Sequence, residues 1–285
     1  MSAPLPRLFA VLRDAATRFV IDDGFGLASQ MTLAALTSLF PFLIFVAAMA
    51  GFFGSQGLAD EATRLLFDAW PAAVAKPIAE EVRNVLTAPR GGLLTLGAVL
   101  SLYFSTSAVE ALRAGLNRAY GFAETRPWWV LRLHSTGFML LGTLALLALA
   151  FLLVLGPTLW NGLALWVPAI EPLRPYANFV RLLVATLLLA TSAVGAHLWL
   201  PAGRLTVAHV APGVAVTLIA SVVFSEAFGA YLRDYAARYV STYAGLASVM
   251  VALLFLNALS TIFLAGGALN AAILRARDAE GAAPL

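Results

Sequence analysis

Cysteine is absent from this 285-residue chain, lysine occurs once, at Lys76, and histidine three times, at His134, His197 and His209. Without a thiol there is no disulfide framework, no thiolate nucleophile and no cysteine-ligated zinc or iron–sulfur centre. Charge is scarce as well. The 18 basic and 15 acidic residues make up 12% of the chain, against about 25% in a typical soluble domain. With 61% hydrophobic residues, a water-soluble fold would lack the charged groups to cover its surface, whereas a bundle surrounded by lipid needs few. Disorder is excluded by the same hydrophobicity, and a collagen-like fibre by the absent period. The net charge of +3 does not imply nucleic acid. Seventeen of the basic residues are scattered arginines that form no phosphate-tracking run, so no nucleic-acid partner is expected.

Stretches free of Asp, Glu, Lys and Arg cover 24–59, 91–109, 133–170, 182–203, 205–225 and 239–274. Each reaches the roughly 20 residues needed to cross about 30 Å of hydrocarbon. Segments such as Leu140–Leu155 and Val249–Leu264 are apolar on every face, and the runs are Leu/Ala-rich without the period-2 alternation of barrel strands. The fold class expected is therefore all-α: a polytopic membrane helix bundle of about six transmembrane helices plus two interfacial amphipathic helices. The chain reads as a single membrane domain over 1–285, with spans near 29–53, 91–112, 136–160, 178–200, 207–229 and 244–274 and a tail at 275–285. Trp128, Trp129, Trp160, Trp166 and Trp199 fall near proposed span ends, where an amphipathic ring suits the interface. Pro41 should kink or start the first span, and Gly156-Pro157 should break or end the third.

At 5–20, Leu8, Val11, Leu12, Ala15 and Phe19 recur at helical spacing with Arg7, Asp14 and Arg18 on other faces, the pattern of an interfacial helix. Arg13 and Asp14 interrupt any signal-peptide core, and Asp22-Asp23-Gly24 should end the helix. A second amphipathic helix is expected at 73–87, from Val74, Ile78, Val82 and Val85/Leu86. With the N-terminus cytoplasmic, inside segments carry ten basic residues and outside segments eight, four of these in the long 54–90 loop. Over the shorter loops the bias is ten to four, which places both termini inside.

The polar stretch leaving the second span puts Tyr103, Thr106/Ser107, Glu110, Arg113 and Asn117 on one helical face. Such a face can line a vestibule, with Glu110 pairing locally with Arg113; the alternative is a solvated helix end with a local ion pair. Glu226 follows the fifth apolar stretch and reads either as an intramembrane acid or, preferably, as a hydrated interfacial one. Asn257 and Asn270 in the last span should seek interhelical partners, and Ala265-Gly266-Gly267-Ala268 should let a neighbouring backbone approach closely. His197 and His209 flank a turn at 201–204, but two imidazoles without a carboxylate make a poor metal site, and interfacial hydrogen bonding is the role expected of both. No P-loop, Rossmann fingerprint, G-x-S-x-G elbow or H-E-x-x-H is present. No catalytic residue, metal or cofactor is expected.

Six phrases occur in order: 35–43 ALTSLFPFL, 107–121 SAVEALRAGLNRAYG, 126–129 RPWW, 211–213 APG, 243–248 YAGLAS and 266–271 GGALNA. Together they resemble the YihY/BrkB family of bacterial inner-membrane proteins, formerly labelled ribonuclease BN, over nearly the whole chain. The stretch 117–127 carries most of the specificity. The resemblance implies about six spans, no established catalytic residue, and roles in envelope transport such as movement of lipids or lipopolysaccharide precursors. Leu33-Ala34 stand where many members have a tyrosine pair, and Ala268 stands where a glutamate is usual.

The function expected is that of a bacterial inner-membrane transporter or flippase-like protein for a lipid or other amphipathic envelope molecule. Sparse intramembrane charge suits such a substrate better than a small ion. The alternative is a non-transporting scaffold or regulator of envelope assembly. Membrane lipids are the expected partners, together with an amphipathic or lipid-linked substrate, and an oligomer is compatible with the sequence.

Overall fold

A computed structural model describes residues 4–52, 103–150, 152, 156–243 and 247–281. Every regular element among them is helical. Helix α1 spans Pro4–Ile21, α2 Gly24–Phe52, α3 Ser107–Tyr120, α4 Trp128–Ala150 and α5 Gly156–Trp166. A short 3-10 segment, Pro168–Leu173, leads into α6 at Arg174–Trp199, followed by α7 at Val207–Tyr243 and α8 at Ala247–Gly281. The amphipathic helix expected at 73–87 and residues 91–102 of the second expected span lie outside the described residues.

Three helical stretches among the described residues are long and apolar enough to cross a bilayer: Pro168–Trp199, Val207–Leu232 and Val249–Ala279. They coincide with the last three of the six spans expected from the sequence. Their surfaces are turned inside out relative to a soluble bundle. Leu183, Leu187, Ile219, Val222 and Val223 are exposed, while Thr32, Thr106, Asn117, Ser135, His197, Thr217 and Asn270 are buried. Lipid gives leucine no reason to hide, and helices in it associate through small residues and hydrogen bonds. This distribution follows from that solvent.

The α7–α8 contact shows the principle at its tightest. A methyl group added at Gly213 would strike the Gly266 carbonyl oxygen, and one added at Gly266 would strike Thr217 Oγ1. The two glycines thus bring the backbones together, as the small-residue run 265–268 implies. Further along, Phe255 meets Phe224 and Phe228, with ring centroids 5.9 and 5.6 Å apart. A second cluster packs Leu116, Tyr120, Ala196, Leu200 and Ala271 between α3, α6 and α8.

Local chemistry sets several boundaries. Asp23 turns the chain between α1 and α2 with φ 57°, a left-handed conformation that aspartate tolerates better than most residues. Helix α3 ends at Gly121, φ 73°, where the Gly121 and Phe122 amides donate to the Arg118 and Asn117 carbonyls at 3.1 and 2.8 Å. Pro41 sits inside α2, which starts at Gly24. Helix α8 also runs on through residues 275–281, expected from the sequence to be a tail. Arg275 holds that end against α1, its Nη2 donating to Asp14 at 2.7 Å.

Candidate functional site

One end of the bundle gathers the end of α3, the 121–127 loop, the start of α4 and the 200–206 turn into a lattice of charged and polar groups. Asn117, buried on α3, lies at its centre. The Ala202 amide donates to Asn117 Oδ1 at 2.7 Å, and Asn117 Nδ2 donates to Glu124 Oε2 at 3.0 Å. One side chain thus ties a helix, the loop that follows it and a turn 85 residues further on.

Glu124 is clasped by Arg126, whose Nε and Nη2 both donate at 2.8 Å, with the Arg113 guanidinium 3.7 Å away. The Arg126 side-chain hydrogen bonds hold the Glu124 carboxyl down at about 2, and the Arg126 pKa is raised in return. Arg126 Nη2 also donates to the Leu200 carbonyl at 2.9 Å. Phe122 stacks on Tyr120 and lies over Gly203, where any side chain would strike its ring. The loop 121–127 is therefore locked to the 200–203 turn by charge and by shape.

On the outer side of the lattice, Glu110 pairs with Arg132 of α4. Arg132 also donates to the Tyr103 carbonyl at 3.1 Å and places its guanidinium carbon 3.5 Å from the Tyr103 ring centroid, a cation–π contact. Arg113 turns inward, donating to the Leu131 carbonyl at 3.3 Å and Ser135 Oγ at 3.2 Å. The local Glu110–Arg113 pair considered from the sequence is thus replaced by two long-range partnerships. Residue spacing alone favours the nearest cation, but α4 brings a better-aligned one across the groove.

Beneath this lattice lies a buried core in which Asn270 finds the interhelical partners expected of it, though the sequence did not name them. Asn270 of α8 accepts from the Gly213 amide at 2.6 Å, and its Nδ2 donates to the Val210 carbonyl at 3.0 Å and to Tyr120 Oη at 3.1 Å. Tyr120 Oη in turn lies 2.7 Å from His197 Nδ1. Asn270 donates into the phenol oxygen, which leaves the hydroxyl proton available to His197 Nδ1. His197 is fully buried, and Nε2 has no partner among the described residues. His209, by contrast, accepts from the Thr206 amide at 3.3 Å in the turn. His197 and His209 thus serve different neighbours. Pro212, which has no N–H to donate, sits inside α7 between the two backbone groups that Asn270 bonds, the Val210 carbonyl and the Gly213 amide.

The remaining candidates are dispersed. Thr106 is fully buried and donates back to the Tyr103 carbonyl at 2.7 Å, Ser107 is half-buried, and Tyr103 is exposed. Asn257 donates to Ser29 Oγ of α2 at 3.1 Å, and Glu226 is exposed on α7, away from the lattice. Ala268 is buried beside Gly115, Ala119 and Leu264, and Leu33 is exposed. Among the described residues no group of three or more His, Asp or Glu could hold a metal ion. Of the residues that build the site, Glu124, Arg126, Arg132 and Tyr120 were not singled out from spacing, and His197, expected to hydrogen-bond at the interface, is instead fully buried. Three of them fall in the 117–127 stretch that carries the family resemblance, which was the available signal.

An apolar exterior, helices of spanning length and polar groups buried between them define a multi-pass helical membrane protein. The chain belongs to the family described as virulence factor BrkB, whose model matches residues 15–284. It is similar to a ribonuclease-like protein, YfkH, of Bacillus subtilis, 23% identical over 260 residues that cover 91% of this chain and 94% of that protein. It is also similar to a UPF0761 membrane protein of Chromohalobacter salexigens, 27% identical over 278 residues, 94% of this chain but 64% of that one. No solved structure matches the chain.

Proposed function

We propose that the protein is a six-span inner-membrane transporter or flippase-like protein that moves, or helps to move, a lipid or other amphipathic envelope molecule. The observation that carries this reading is the Tyr120–His197–Asn270 core, bonded to α7 beside Pro212 inside a bundle with an apolar exterior. Buried polar groups and interrupted backbone are costly in a membrane, and they concentrate where helices rearrange around a pathway. Few intramembrane charges favour an amphipathic cargo over an ion.

The topology proposed with it has both termini in the cytoplasm. The Asp14–Arg275 pair brings the first and last helices together at one end, which calls for an even number of crossings, and six satisfies it. The arginines of the 113–132 region lie at the end where the 121–127 loop meets the 200–203 turn, the distribution of a cytoplasmic face. The protein is read as a non-enzyme. Metal-dependent RNA cleavage that survives rigorous purification and disappears when its His or acidic residues are changed would refute that part.

Reconstitution in liposomes with fluorescent or native envelope lipids tests the transport reading. The expected result is transbilayer movement faster than in protein-free vesicles. Movement no faster than in empty vesicles, across several lipid classes and with a pH gradient imposed, would put the scaffold reading ahead.

A further inference from the structure

The outward face of α2 carries polar side chains where a lipid-facing helix calls for apolar ones. Ser29, Gln30 and Thr37 are all exposed. Gln30 lies seven residues past Asp23, about 10 Å along the helix axis. Helix α8 runs beside them. Asn257 Nδ2 donates to Ser29 Oγ at 3.1 Å on the exposed side of the α2–α8 seam, and Thr32 Oγ1 meets Ser260 Oγ at 3.4 Å on the side turned inward. Asn257 falls within the spanning stretch Val249–Ala279, 18 residues before Arg275, the nearest charge toward the end of that helix. Its bond to Ser29 therefore holds this part of α2 at hydrocarbon depth.

The two hydroxyls are satisfied by their own helix. Ser29 donates to the Phe25 carbonyl at 2.9 Å and Thr37 to the Leu33 carbonyl at 2.8 Å, so either can face lipid at little cost. The Gln30 amide is not satisfied. It offers two N–H donors and a carbonyl, has no partner among the described residues, and is too short to reach the membrane surface as a lysine would. Polar groups within a span face either the bundle interior or water, and Gln30 does not face the interior. Phe25 and Leu33 are exposed on the same face, so apolar and polar groups alternate along it at four-residue spacing.

We infer that this face of α2, flanked by Asn257, is a wetted track open sideways to the bilayer, and that it carries the polar headgroup of the cargo while the apolar chains stay in lipid. No charged side chain lies between Asp23 and Thr37. The headgroup is therefore held by hydrogen bonds to amides and hydroxyls, with no ion pair. The wet track stands on side-chain placement, and only its cargo role rests on the transport reading.

The test uses the full-length protein in liposomes, with single cysteines introduced into a chain that has none. A charged, water-soluble methanethiosulfonate on both sides of the membrane should modify Gln30→Cys and Thr37→Cys roughly tenfold or more faster than Leu187→Cys, on the exposed apolar face of α6, because the reactive thiolate forms only where water reaches it. Equal, slow labelling at all three positions would overturn the track. Slow labelling of Gln30→Cys with oxidative cross-linking into a covalent dimer would also overturn it, and would assign the face to a second copy of the chain. In the same vesicles Gln30→Leu and Asn257→Leu, eluting as the parent does, should move fluorescent lipid several-fold more slowly than the parent. Parent-like rates in both would overturn the headgroup role. A parent that moves no lipid would sink the transport reading and that role together, while labelling still decides the track.

Discussion

Replacing Asn270 by alanine removes three hydrogen bonds at once, to the Gly213 amide, the Val210 carbonyl and Tyr120 Oη, from a site with no solvent exposure. Interhelical hydrogen bonds in membrane proteins average about 0.6 kcal/mol and reach about 1.7. Three of them are therefore worth roughly 2 kcal/mol, and up to about 5 if each is near the maximum. The lower figure corresponds to a fall in melting temperature of about 4–8 °C on the scale of larger domains. Thermal unfolding of the purified protein in detergent, followed by intrinsic tryptophan fluorescence, measures it. Tyr120→Phe should cost less, because it removes one acceptor for Asn270 and one donor to His197. The double variant should lose less than the sum of the two, by about the one bond they share. An unchanged melting temperature in Asn270→Ala, or strict additivity in the double variant, would refute the network as a stabilising unit.

Three further outcomes follow from the geometry. Gly213→Ala should sharply reduce the monodisperse fraction in size-exclusion chromatography, because the new methyl strikes the Gly266 carbonyl, whereas Gly267→Ala meets its nearest neighbour at 3.4 Å and should be tolerated. The Glu124 pKa, depressed from 4.5 to about 2, contributes stability that is fully present above 4.5 and lost as the pH falls toward 2. Glu124→Gln should therefore be less stable than the parent by roughly 1 kcal/mol near neutrality, allowing for solvent screening at a partly exposed group. The gap should close in acid, and one independent of pH would contradict the assignment. Since the chain has no cysteine, one introduced near Pro77 should react with a membrane-impermeant reagent added from the periplasm and one near Pro127 should not; the reverse pattern would invert the topology.

Much of the architecture is legible in the sequence because a bilayer imposes a one-dimensional rule. A helix must stay uncharged for about 20 residues to cross, so charge-free runs mark Pro168–Trp199, Val207–Leu232 and Val249–Ala279 without knowledge of any contact. Turn chemistry is equally local: Asp22-Asp23-Gly24 marks a helix boundary because backbone sterics act within a few residues. The helical face bearing Glu110, Arg113 and Asn117 could be read from period alone. What tertiary structure decided is the partner of each group on that face. Glu110 meets Arg132, Asn117 meets Ala202, and Asn270 meets Gly213 and Tyr120 across separations of 22 to 150 residues. A soluble fold would announce such neighbours through buried apolar stripes, but in lipid every face is apolar. Contact is chosen there by small residues and hydrogen bonds, whose matching depends on how the helices cross in three dimensions.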